Sequence, residues 1–238
     1  MNNGIIFTAY FTTLSDGHRL WEPERDKTRK PDRGLLYPLI DSVSKFSIPL
    51  LIASDCFSDE DTQAYAIENL RPQFTVSGNA YRWYVFREYC RKTDFSHVFL
   101  VDSTDVECYI NPFKTDLGDF LWAGDEKHAT VDSPWMKTHQ APYVTMPDYN
   151  QIIIENRKHR LLNCGIVGGK REVVLEYLEL VTKYQSECNL PDNISVDMAV
   201  HNYVIFKHFK DRYKHGVQVN TVFRKNEKPN GVSWWRHK

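Results

Sequence analysis

The segment Val98-Phe99-Leu100-Val101-Asp102-Ser103-Thr104-Asp105-Val106, continuing to Asn111-Pro112-Phe113, carries the most informative chemistry in the chain. An apolar strand delivers one carboxylate at its carboxyl end, and a second follows three residues later in the turn. Hard oxygen ligands at this spacing can share a divalent ion, directly or through water, and leave positions open for phosphate oxygens. The same acids also suit a simpler arrangement in which Asp102 caps the turn and Asp105 is solvated. Positive charge is unevenly distributed: residues 207–238 hold nine Lys/Arg against Asp211 and Glu227, a balance of +7 where the remainder of the chain is -8. An anion near the C-terminus and a solvated basic face both fit that asymmetry.

The elements that must position these groups alternate. Gly4-Ile5-Ile6-Phe7-Thr8-Ala9-Tyr10 and residues 48–55, which end in Asp55, have the continuous apolar runs of strands covered on both faces, as does His97-Val98-Phe99-Leu100-Val101-Asp102. Residues 35–45, 59–70 and 80–92 are expected to be helices, the second on the strength of its acidic first turn, with a short strand at 73–76 and an exposed loop at 21–33. Strand and helix in alternation predict an α/β domain with a mainly parallel, Rossmann-like sheet, whose ligands lie beyond the carboxyl ends of the strands. Further on, strands are expected at 120–123, 161–169 and 217–223 and helices at 172–187 and 195–209. A long loop is expected at 127–149 and an irregular tail at 224–238. Gly168-Gly169 reads as a tight strand-to-helix turn.

At 238 residues, 42% hydrophobic and 26% charged, the composition is that of a globular domain with a self-sufficient core, which excludes disorder as the main state. A single domain is expected, with a nucleotide-binding half (1–105) and a second half (106–238) for donor sugar and acceptor. Five cysteines without Cys-x-x-Cys spacing suggest neither a disulfide framework nor a zinc knuckle. No stretch approaches the roughly 18 uninterrupted apolar residues of a membrane span, and no basic segment precedes the first apolar run. A cytoplasmic, unprocessed protein is expected, in the host cytoplasm if its source is viral.

Leu100-Val101-Asp102-Ser103-Thr104-Asp105-Val106 resembles the Asp-x-Asp signature of the GT-A fold nucleotide-sugar glycosyltransferases, in a variant with two residues between the acids. Three further segments resemble that family in the same order. Leu161-Leu162-Asn163-Cys164-Gly165-Ile166-Val167-Gly168-Gly169 is similar to its Asn-x-Gly strand lining the donor-sugar pocket. Ser195-Val196-Asp197-Met198-Ala199-Val200-His201-Asn202 is similar to the segment whose Asp faces the sugar, with Met198 where Gln is usual. Trp234-Trp235-Arg236-His237-Lys238 is similar to the C-terminal segment whose His completes the metal site and whose Lys meets the pyrophosphate. The resemblance implies a GT-A domain with a mixed C-terminal part and a Mn2+- or Mg2+-dependent hexosyl- or pentosyltransferase using a UDP- or GDP-sugar. It implies metal ligation by Asp102, Asp105 and His237. Donor contacts fall to Thr8, Ala9, Tyr10, Asp55, Arg82, Asp102, Gly165 and Lys238, and the catalytic positions to Asn163 and Asp197. For Tyr10, packing in the core competes with base stacking. Trp234 and Trp235 are expected to dock the tail.

An inverting reaction needs a carboxylate base, for which Asp197, Asp125 and Glu126 are all candidates. The acceptor is left open between surface glycan, modified DNA, protein and small molecules; the resemblance extends to compact phage transferases that decorate hydroxymethylated pyrimidines, and the Arg25, Lys27, Arg29, Lys30, Arg33 loop could follow a phosphate backbone. No obligate protein partner is evident. Two other classes compete: a catalytically silent nucleotide-sugar or nucleic-acid binding module, and a nucleotidyltransferase. The latter would begin with a Gly-rich basic loop, which Thr8-Ala9-Tyr10-Phe11 is not.

Overall fold

The computed structural model describes residues 3–14, 30–72, 76–188, 190, 194–219 and 229–237. In chain order these form β1 (Gly4–Tyr10), α1 (Tyr37–Ser44), β2 (Leu50–Ser54), β3 (Glu60–Asp61), β4 (Ala66–Asn69), α2 (Gly78–Lys92), β5 (His97–Asp102) and β6 (Val106–Cys108). They continue as β7 (Leu121–Thr130), α3 (Pro134–His139), α4 (Tyr149–Glu155), β8 (Arg160–Lys170), α5 (Arg171–Glu187), α6 (Asp197–His208), β9 (Tyr213–Lys214) and β10 (Trp235–His237).

The central sheet has the order β3-β4-β2-β1-β5-β8-β7-β9. Its middle, β4-β2-β1-β5, is parallel, and β8 runs antiparallel to both β5 and β7. Because β5 pairs with β8, the halves 1–105 and 106–238 share one sheet. The alternation expected of a doubly covered strand is present in β1: Ile5 and Phe7 enter the core formed with α2, α5 and α6, and Ile6 enters the core formed with α1 and the C-terminal tryptophans. No helix among the described residues is long and apolar enough to cross a membrane.

Four expectations are corrected. Residues 59–70 are not a helix but the β3-β4 hairpin. Thr62 closes its turn by accepting the Ala64 and Tyr65 amides, and Asp59 accepts the Asn69 amide at 2.6 Å. Its acids therefore pair across strands rather than serve a helix dipole, and Ile67 is buried in β4 beside β2. The 127–149 loop is largely ordered as regular structure: β7 continues to Thr130, and Pro134 opens α3 in the position where its missing N–H costs nothing, with Ser133 capping. Residues 217–219 form a turn rather than part of a strand, residues 220–223 lying outside the described set. The tail is not irregular throughout, since β10 pairs antiparallel with β6. Of the expected 73–76 strand, only Val76 is described, and Lys238 and most of the 21–33 loop lie outside the described residues.

Candidate metal centre

The register of a two-stranded sheet brings the two ends of the motif together. β6 begins immediately after Asp105, and in its pairing with β10 His237 lies opposite Val106, with Arg236 opposite Glu107 and Trp235 opposite Cys108. Arg236 and Glu107 form an ion pair across this ladder. Trp234 and Trp235 are buried, and both rings pack on Phe99 of β5, with Trp234 also against Trp122. The tail is thus docked on the strand that ends in Asp102, as its two Trp residues suggest. Anchored this way, His237 Nε2 stands 3.5 Å from Asp102 Oδ2 and 4.0 Å from Asp105 Oδ2.

One ligand atom from each of the three side chains lies within 4.8 Å of the other two. A cation bonded at about 2.1 Å reaches two donors up to about 4.2 Å apart, so both separations from His237 suit a shared ion. Two carboxylates and an imidazole form a donor set that could hold a divalent cation. Space for them comes from Gly165 on β8: a Cβ there would fall 2.6 Å from His237 Nε2 and 2.9 Å from Asp102 Oδ2.

Electrostatics reinforce the cluster. Burial pushes the Asp102 carboxyl upward, but Arg82 and His237 outweigh it and hold Asp102 far below the usual carboxylate range. Burial alone would depress the His237 imidazole, yet the hydrogen bond and charge of Asp102, with Asp105 and Glu126 behind it, raise it. Glu126, half-buried on β7, is pushed by burial up to about 7, against the lowering influence of His237. Arg82 of α2 bridges two acids, donating to Asp102 and, at 3.3 Å, to Asp197 at the start of α6.

The other expected site residues separate into groups. Ala9 lies beside Asp102 in the sheet. Asn163 is buried with Oδ1 accepting the Gly165 amide at 3.1 Å, while its Nδ2 has no hydrogen-bond partner among the described residues. Thr8 is fully buried, its hydroxyl donating to the Val101 carbonyl at 2.7 Å, so it faces the sheet and not a ligand. Tyr10 is buried and stacked on Phe57, with its hydroxyl accepting the Asp32 amide: the packing alternative describes it. Asp55 accepts the Thr12 and Thr13 amides at 2.8 and 2.9 Å and so closes the turn after β1. Arg33 of the basic loop is engaged with Glu60 and Tyr65. Two residues near Asp197 carry no sequence signal: Gln140, which reaches it from the segment after α3, and the buried thiol of Cys164, which lies in its field.

No protein-family model and no curated protein matches the chain. The geometry alone therefore argues for the site. It could hold a divalent cation at the carboxyl end of β5, beside the half-buried Arg82, with Glu126, whose carboxyl burial pushes up to about 7, in the field of His237.

Proposed function

We propose that the chain is a divalent-cation-dependent glycosyltransferase of the GT-A type, moving one sugar from a nucleoside-diphosphate sugar to an acceptor hydroxyl. The observation that carries this reading is the meeting of Asp102 and Asp105 with His237, which comes from a distant part of the chain. A bound Mn2+ or Mg2+ supplies Lewis-acid stabilisation of the negative charge that builds on a departing diphosphate. Asp102, Asp105 and His237 are the residues to hold it.

Arg82 adds a second positive charge next to Asp102, in a half-buried setting where charge interactions are less screened than at an open surface. Asn163, with an uncommitted amide donor beside Gly165, is suited to a sugar hydroxyl. Of the three carboxylates open to a base role, Asp125 is fully buried between His215 and Arg160, and Asp197 is fully buried among Arg82, Met198 and Gln140. Glu126 retains partial exposure, lies within the charge field of His237, and has a pKa pushed up to about 7, which suits proton acceptance from an alcohol near neutral pH. These differences favour Glu126 on the acceptor side.

Calorimetry with UDP and GDP, with and without Mn2+, tests the reading. Nucleotide binding is expected only with the cation, and Asp105→Ala is expected to abolish that dependence. Slow sugar release from a cognate nucleotide-sugar with Mn2+ is expected of an active transferase. Binding that ignores the cation would overturn the proposal.

A further inference from the structure

Asp197 opens α6 and is completely buried, yet a buried carboxylate persists only where donors surround it. Among the groups that meet it are the Met198 amide at 2.9 Å on Oδ1, Gln140 Nε2 at 3.3 Å on the same oxygen, and Arg82 Nη2 at 3.3 Å on Oδ2. Gln140 is itself 1% exposed and sits just after α3, between β7 and α4. Its orientation follows from donor logic. Oε1 accepts the Ala199 amide at 2.7 Å, which leaves the NH2 end toward Asp197. One amide therefore performs two tasks, satisfying an N–H of the first turn of α6 and presenting a donor to the carboxylate that aligns Arg82.

We propose that Gln140 is a positioning residue: by fixing Asp197 it sets the direction in which the Arg82 guanidinium meets Asp102 and a bound diphosphate. The inference rests on the reading of the centre as a cation and nucleoside-diphosphate site. It connects the segment between β7 and α4 to the charge at that centre through four side chains in sequence, Gln140, Asp197, Arg82 and Asp102.

Gln140→Glu separates the two tasks. It keeps the volume and an oxygen for the Ala199 amide, while the donor facing Asp197 is exchanged for an oxygen that repels it. The expected result is a loss of UDP affinity of about tenfold at saturating Mn2+, with Mn2+ affinity in the absence of nucleotide unchanged within about twofold. If Gln140→Glu binds UDP as the wild type does, the direction of Arg82 does not depend on the Gln140 donor, and the proposal fails. Parallel losses of Mn2+ and UDP binding would equally overturn it, since they report a general collapse of the site.

A second measurement needs no nucleotide. Urea midpoints of Gln140→Glu, Arg82→Met and the double variant form a cycle between two residues joined through Asp197. Positioning predicts a double-variant shift clearly different from the sum of the single shifts, whereas additive shifts would refute it. Failure of the wild type to bind UDP with Mn2+ would instead overturn the proposed function, and the cycle would still decide the role of Gln140.

Discussion

A Cβ at position 165 would enter the space that His237 and Asp102 share, 2.6 Å from one ring nitrogen and 2.9 Å from one carboxylate oxygen. These atoms cannot both stay, because the ring is held by β10 and the carboxylate ends a buried strand. Gly165→Ala is therefore expected to weaken Mn2+ binding by ~10-fold or more, about 1.4 kcal/mol, with the far-UV circular dichroism retained. Titration calorimetry checks this, and unchanged Mn2+ affinity would remove Gly165 from the centre. At this scale the legible residues were those whose neighbours declare their position. Asp102 and Asp105 follow an apolar run, and a strand's carboxyl end is where side chains leave the sheet. Thr8, Tyr10 and Asp55 occupy equivalent strand ends, but alternation turns the Thr8 hydroxyl into the sheet, and the Asp55 carboxylate finds amides in the adjoining turn. Nothing local distinguishes those outcomes. Gln140 was invisible for a different reason: its partners, Asp197 and Ala199, belong to another element far along the chain.

Among the elements, β10 contributes only three residues to a two-stranded sheet, too few for ladder bonds alone to hold it. Its anchor is burial of Trp234 and Trp235 at 3% and 1% exposure against Phe99. Trp235→Ala is expected to reduce unfolding stability by roughly 3–5 kcal/mol, the usual cost of removing a large buried ring. Because His237 is two residues further along the same strand, Mn2+ affinity should fall with it. Urea denaturation and calorimetry on the same variant check both losses, and loss of stability alone would show that His237 is held by something other than the tryptophans. The tail's docking was legible because adjacent tryptophans have no comfortable exposed state. The β3-β4 hairpin was not, since Asp59, Glu60 and Asp61 at the head of an amphipathic stretch fit a helix start equally well until Asn69, Arg33 and Tyr65 are seen to take the Asp59 and Glu60 carboxylates.

Across the whole molecule, opposing titrations set a stability optimum for the cation-free protein. His201 is fully buried and bonded to Tyr177, and burial pushes its pKa down to about 3; burial also lowers His97 and His208. Below the ordinary histidine value of about 6.5 the unfolded chain binds these protons and the folded chain does not, so stability rises with pH toward that value. Above it the balance reverses. His237 keeps its proton beyond the unfolded range, and the stability this contributes is lost as pH passes the raised folded value. Glu126 acts in the same sense between the ordinary glutamate range and about 7, because its folded form binds a proton that the unfolded form has released. Below the histidine range Glu126 opposes three groups, and above it His237 acts without them. The melting temperature in EDTA is therefore expected to peak near pH 6.5 and decline toward pH 8. A cation must displace the proton on His237, so the stabilisation gained from Mn2+ should grow over the same upper interval. Thermal melts in EDTA and in MnCl2 across that range, with Glu126→Gln and His237→Ala beside the wild type, test the assignment. Both variants should flatten the decline in EDTA, and only His237→Ala should also abolish the growing gain from Mn2+. A gain that stays constant with pH would mean that the imidazole does not meet the cation.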